Sequence, residues 1–389
     1  MFDKRMFKNL DYMIIIIIML IVGIGLISIG LATRSPVEDT EDITGALESF
    51  NFRQVKLQLI WFGTGIILMI ITACIDYHFL SNVSPYLYWG VVGLLVLVMF
   101  AGTTGGGAQR WIAIGPFRLQ PSEFTKLALI LSMARVISKR EEQGINNVKS
   151  LALVVFTLGV PFLLIAAQPD LGTSIALIAI TLGMLFVAGI SYKLLLAGGA
   201  AIAAAIPAAW FFLLKEYQKK RIMVFLNPEL DPLGDGLNVL QSIMSVGSGQ
   251  IWGQLKNGAL FSANTLSQLN YLPAKDTDFI FSVAAEAFGF VGGITIIALF
   301  FLLIIRTIRI GSKAADKLGA LIAIGVASMT LFHVYENIGM TMGIMPVTGI
   351  PLPFMSYGGS SMWANMIAYG LVLNVGMRRQ KHRFIGGQY

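Results

Sequence analysis

Residues 12–32, YMIIIIIMLIVGIGLISIGLA, carry no charge. A helix of that composition has no side to offer water. At 1.5 Å per residue, about 20 such residues cross the hydrocarbon core of a bilayer. The pattern recurs along the chain, and ten spans are expected, near residues 13–33, 55–75, 84–101, 121–138, 149–167, 171–190, 192–214, 278–305, 318–342 and 358–377. The 389 residues are 56% hydrophobic and only 13% charged, against about a quarter charged in a soluble domain. The sequence therefore predicts an all-α polytopic membrane protein, one transmembrane domain over residues 1–389.

The first run follows a basic start (Lys4, Arg5, Lys8) and has no small-x-small cleavage site after it. It is too long for the core of a cleaved signal and reads as a retained span. Basic residues fall on one side: the start, then Lys139 and Arg140, then Arg306, Arg309, Lys313 and Lys317, then Arg378 to Arg383. The positive-inside rule makes that side cytoplasmic and puts both termini inside. These loops account for the net charge of +7, so no nucleic-acid partner is expected. One cysteine, Cys74, excludes an internal disulfide and a cysteine-built zinc site. There is no P-loop and no room for a nucleotide-sugar domain, so a substrate would arrive through the membrane. No inverted repeat relates the two halves, which weighs against a transporter.

The other side holds the informative loops. The stretch 34–56 is acidic, and 102–120 is glycine-rich with Arg110, Trp111 and Arg118. The largest loop runs from Lys215 to Thr277. Within it GLNVLQSIMSVGSG (236–249) has apolar residues at helical spacing and reads as an amphipathic lid lying in the outer interface. The last loop, GIMPVTGIPLPFMSYGGSS, concentrates proline and glycine at membrane depth, where irregular backbone survives only against protein or a water-filled cavity.

The stretch DTDFIFSVAAEAFG holds the sharpest chemical signal. If the span starts at Asp278, then Asp278, Ser282 and Glu286 share one helix face, with Asp278 at the outer mouth and Glu286 deeper. An intramembrane carboxylate is a functional-site hypothesis by default. The competing reading makes Asp276 or Thr277 the cap of the helix, and it carries more weight for Asp276 than for Asp278. Glu123 and Lys126, one turn apart in PSEFTKLAL, are a satisfied ion pair or a substrate contact. Arg110 with Trp111 could clamp a phosphate and a sugar or lipid face, though Trp111 alone suits an interfacial anchor. Asp170 in QPDLGTS either orients a ligand or caps the sixth helix. His333, Glu336 and Asn337 share a face, with His333 better suited to core hydrogen bonding. The YGGSS run, with Ser360, could offer backbone N–H groups to an anion, or its glycines could serve close helix packing.

At these positions the chain resembles the SEDS family (shape, elongation, division and sporulation) over its whole length. The matching stretches are AQRWIAIGPFRLQPSEFTKLALI, QPDLGTS, FLNPELDPLGDGLNVLQS, GSGQIWGQ, LPAKDTDFIFSVAAEAFGF and MPVTGIPLPFMSYGGSS. The run LSQLNYLP is more similar to the rod-elongation branch than to the division branch. The resemblance implies a peptidoglycan glycosyltransferase of the bacterial cytoplasmic membrane that polymerises lipid II into β-1,4 glycan strands with inversion. By it Asp278 matches the family's essential aspartate and would be the general base. The charge developing on a pyrophosphate leaving group needs cations, for which Arg110, Lys126 and Arg221 are the candidates, with a divalent cation (Mg2+ or Mn2+) left open. It implies a class B penicillin-binding protein and other elongation-complex membrane proteins as partners. The chain departs from the family pattern at Asp276, where histidine is common, and at Ala287, where a second glutamate is common. A lipid II flippase is the rival reading, and a morphogenesis scaffold a third.

Overall fold

The computed structural model describes residues 9–34, 52–105, 108–115, 117–140, 145–208, 210–211, 216–227, 230–231, 234–257, 265–266, 272 and 274–378. The acidic stretch 35–51 and the basic groups at Lys4, Arg5, Lys8 and residues 379–383 lie outside them. In chain order the helices are α1 (Tyr12–Ala32), α2 (Phe52–Cys74), α3 (Tyr77–Ala101), α4 (Pro121–Ser138), α5 (Val148–Ala167), α6 (Leu171–Ala188), α7 (Tyr192–Ala208), α8 (Glu216–Leu226), α9 (Asp235–Ser248), α10 (Ile280–Ser312), α11 (Lys317–Thr341) and α12 (Gly359–Met377). Many starts are written in the sequence as side-chain caps: Asp11 on α1, Asp76 on α3, Asn147 on α5, Asp170 on α6 and Asp316 on α11.

Among the described residues, a helix of 17 to 33 residues overlaps each of the ten expected stretches. Seven are long and apolar enough to cross a membrane. Of the other three, α4 carries Glu123, Lys126 and Arg135, and α12 carries Asn365 and Asn374, yet most of both is buried. Such helices face protein rather than lipid, and need not be apolar all round. They form the centre with α11, where Ile130, Met133, Val326 and Tyr369 pack against one another's neighbours in one core.

Three local readings change. The glycine-rich segment after α3 is a small antiparallel sheet of β1 (Thr103–Gly105), β2 (Ala108–Ile114) and β3 (Phe117–Leu119), pairing Thr103 with Trp111 and Ile112 with Leu119. Arg306 and Arg309 lie within α10, which runs on to Ser312, rather than in a loop. And α10 is broken: Gly289 has φ +69°, left-handed backbone that glycine enters without steric cost. The two N–H groups freed at the break, on Phe290 and Val291, donate to Gln250 O and Ile251 O at 2.8 and 3.2 Å. A side chain at Gly289 would come within 2.3 Å of Gly253 N.

The helix expected over 236–249 is present as α9, but its orientation differs from that of a simple amphipathic helix. Leu240, Ile243 and Met244 are exposed, while Val239, Ser242 and Ser245 face inward. Small residues let backbones approach closely in lipid, and Ser242 Oγ reaches both Ser282 Oγ (2.6 Å) and Thr341 O (2.8 Å).

Candidate active site

Asp278 sits in a turn, residues 274–279, ahead of α10. The helix begins at Ile280 with Phe279 as its cap residue and no side-chain cap bond. The capping role expected of Asp276 or Thr277 is therefore absent, and the one-face relationship holds only for Ser282 and Glu286. The turn is instead held by its carbonyls, which would be costly if buried without a partner. Asp276 O accepts from Tyr357 N at 2.9 Å, Thr277 O from Ser356 Oγ at 2.7 Å, and Asp278 O from Asn337 Nδ2 at 2.8 Å. Three successive carbonyls are thus fixed by α11 and by the proline-rich loop before α12. That loop is anchored in turn by Gln58 of α2, which donates to Ser356 O (3.0 Å) and accepts from Gly358 N (3.1 Å). Gly349, at φ +75°, lies against the Asp278 carboxylate, where a Cβ would be 3.4 Å from Oδ2.

The carboxyl pKa of Asp278 is raised to about 6. Burial is the largest cause and the charge of Asp276 adds to it. Arg221 on α8, Arg110 on β2 and the Thr277 hydroxyl pull the other way. At neutral pH the group is ionised yet basic enough to take a proton.

Arg110 is positioned by the end of α5. Its guanidinium donates to Gln168 O (Nε, 3.2 Å) and Pro169 O, and its Nη1 lies 3.7 Å from Asp170 Oδ1. Asp170 caps α6, accepting from Thr173 N (3.3 Å) and Thr173 Oγ1 (3.0 Å), so the capping reading describes its bonds. Trp111 stands next to Arg110 on β2, its carbonyl accepting from Thr103 Oγ1.

Lys126 is almost wholly enclosed. Its Nζ donates to Glu123 Oε1 and meets His333 Nε2, both at 2.9 Å. With Lys126 donating, that ring nitrogen is the acceptor and the proton is on Nδ1, which is buried without a partner among the described residues. The ion pair is real, and its bonds place Lys126 in the centre of the bundle. Glu286 accepts from Leu266 N (2.7 Å) and Ser248 Oγ (3.3 Å), tying the segment that precedes α10 to it. Ser360 accepts from Gln120 N (3.1 Å) and donates to Arg118 O (3.2 Å), fastening α12 to the sheet and α4.

The structure thus brings Asp278, Arg110 and Arg221 under one field and gives Glu123, Lys126, Asp170 and Ser360 bonding partners of their own. Sequence reading missed the clamp of Asn337, Ser356 and Gln58. Asn337 lay on a noted helix face, but neither Ser356 nor Gln58 carries a local signal. No three His, Cys, Asp or Glu side chains converge among the described residues.

A helical bundle with hidden charges at its centre and a clamped aspartate at one end is a polytopic integral membrane protein with an acidic site near one membrane surface. The family model described as "Cell cycle protein" (FtsW, RodA, SpoVE) matches residues 11–381. The chain belongs to that family. It is 40% identical over 316 residues to the peptidoglycan glycosyltransferase MrdB of Escherichia coli K12, covering 81% of this chain and 84% of the relative. Against stage V sporulation protein E of Bacillus subtilis it is 36% identical, covering 94% and 96%. Among solved structures it is similar to a chain from a study of how a peptidoglycan synthase complex coordinates polymerisation and crosslinking (TM-score 0.78, 29% identity, 94% and 97% covered). It is also similar to the rod shape determining protein RodA of Thermus thermophilus (TM-score 0.68, 26% identity, 96% and 98% covered).

Proposed function

We propose that the chain is a peptidoglycan glycosyltransferase that polymerises lipid II at the outer face of the membrane during cell elongation. The observation that carries this reading is the aspartate itself: Asp278, with a pKa raised to about 6, stands on a turn clamped at three carbonyls and under the field of two arginines. Relatives bearing the name peptidoglycan glycosyltransferase supply the substrate class.

In the reaction, the Asp278 carboxylate takes the proton of the acceptor sugar's 4-hydroxyl as that oxygen attacks C1 of the donor. The C1–O bond to undecaprenyl pyrophosphate breaks, and Arg221 and Arg110 stabilise the charge that develops on the departing phosphate. One base and direct displacement invert the anomeric centre, turning an α-linked donor into a β-linked polymer. Lys126 with Glu123 supports the site from within the bundle. A class B penicillin-binding protein is the proposed partner, in line with the synthase-complex neighbour.

The test is polymerisation by the purified chain in detergent, where lipid flipping has no meaning, with and without a co-purifying transpeptidase. A ladder of glycan strands is expected, more abundant with the partner. A chain that moves lipid II across vesicle membranes yet yields no polymer in either condition would replace this reading with that of a flippase.

A further inference from the structure

At the end of the bundle opposite Asp278, a cleft of about 470 Å³ opens between α3, α4 and α5. We propose that it binds an anionic glycerophospholipid of the cytoplasmic leaflet, by its phosphate. The proposal is independent of the enzymatic reading above.

Two prolines build the cleft. Pro85 within α3 has no N–H, so the Ser81 carbonyl loses its helical donor. Arg135 of α4 fills the gap: its Nη1 donates to Ser81 O at 2.7 Å and to Asn82 O at 2.6 Å. Pro161 in α5 likewise frees Thr157 O, which accepts from Tyr88 OH at 2.9 Å. The guanidinium is therefore locked in place, with Nε and Nη2 left without a partner among the described residues.

Lys139 and Arg140 complete the rim. Neither side chain makes an ion pair or hydrogen bond among the described residues, and no described carboxylate lines the cleft. Glu141 and Glu142 follow in sequence, outside the described residues. Two further cations beside a locked guanidinium fork suit a phosphate. The walls decide which phosphate. Trp89 and Phe156 are each more than half exposed, with ring centroids 6.5 Å apart. That is surface a soluble anion would leave in contact with lipid anyway, but that acyl chains would cover. Aromatic side chains beside cations mark the depth of the headgroup boundary, and basic pockets between helices on the cytoplasmic side are where anionic headgroups settle.

The full chain in mixed micelles, titrated with dioleoyl phosphatidylglycerol, dioleoyl phosphatidylcholine or inorganic phosphate and read by native mass spectrometry, tests this. Phosphatidylglycerol should be retained in preference to phosphatidylcholine. The Lys139→Gln/Arg140→Gln variant should bind it about 30-fold more weakly, at the usual contribution of each surface cation. Brominated phosphatidylglycerol should quench tryptophan fluorescence in the native chain and much less in Trp89→Phe. Equal retention of the two lipids, the outcome if Glu141 and Glu142 neutralise the rim, would overturn the proposal. So would undiminished binding by the double variant, or displacement of the lipid by an equal concentration of inorganic phosphate.

Discussion

The Nδ2 of Asn337 donates to the backbone carbonyls of Asp278 and Ile350, each at 2.8 Å, so one nitrogen on α11 joins the acidic turn to the loop beside it. Both amide protons are used. Asn337→Leu removes them and leaves two carbonyls short of a partner, at about 1–3 kcal/mol each. Misplacement of a base by about 1 Å can cost about 100-fold in rate. The expected outcome is a fall in kcat of at least about tenfold, with KM and the pH profile changed little. Full turnover by the variant would show that the clamp is dispensable.

For the carboxylate itself, Asp278→Asn keeps size and hydrogen-bonding capacity but cannot take a proton. Polymerisation of lipid II should drop by about 10²–10⁴-fold at matched expression. Asp276→Asn should lose far less, because its contribution to the turn is a backbone carbonyl that the substitution retains. The reverse ordering would remove Asp278 from the role of base.

The pH profile follows from the same group. A base must be ionised, so activity should fall as pH drops through about 6, rather than through the ordinary carboxylate range near 4. Replacing Arg221 by Gln removes a positive neighbour and should move the acid limb to higher pH. Asp276→Asn removes a negative one and should move it lower. An acid limb that stays put in both variants would mean that another group sets it.

Lys126, Glu123 and His333 form a closed set, and removing one member strands the others. Lys126→Met should destabilise the protein by about 3–5 kcal/mol, because a buried carboxylate is left unpaired. Glu123→Gln/Lys126→Met should be milder than the sum of the single changes. Thermal unfolding in detergent measures the cycle, and strict additivity would show that the pair is not coupled.

At the break in α10, Gly289→Ala forces a side chain into left-handed backbone and to within 2.3 Å of Gly253 N. A loss of at least about 1–3 kcal/mol is expected from the backbone conformation alone. Gly90→Ala is the control: nothing lies within 4 Å of its Cβ position in α3, and it should be neutral or slightly stabilising. Equal melting temperatures for the two variants would remove the constraint from Gly289.

The sequence by itself determined the class of fold, because the solvent is uniform: any segment that meets lipid must be apolar and about 20 residues long. The cap at Asp170 was also legible, since a cap acts within three residues, whereas the start of α3 at Asp76 lies ahead of the expected 84. Motif-level reading could point to Asp278 as the residue of interest. What holds Asp278 was settled only by tertiary structure. The partners of its turn lie 59 residues away at Asn337 and 79 away at Ser356, and Gln58 reaches Ser356 across 298. No local periodicity encodes such bonds. The same holds for the break at Gly289, whose freed N–H groups are paired by Gln250 and Ile251, and for Lys126, which could meet His333 only once α4 and α11 had packed. Local propensity and the membrane choose the elements. Which polar groups remain unpaired, and therefore which must find one another, is decided only when those elements come together.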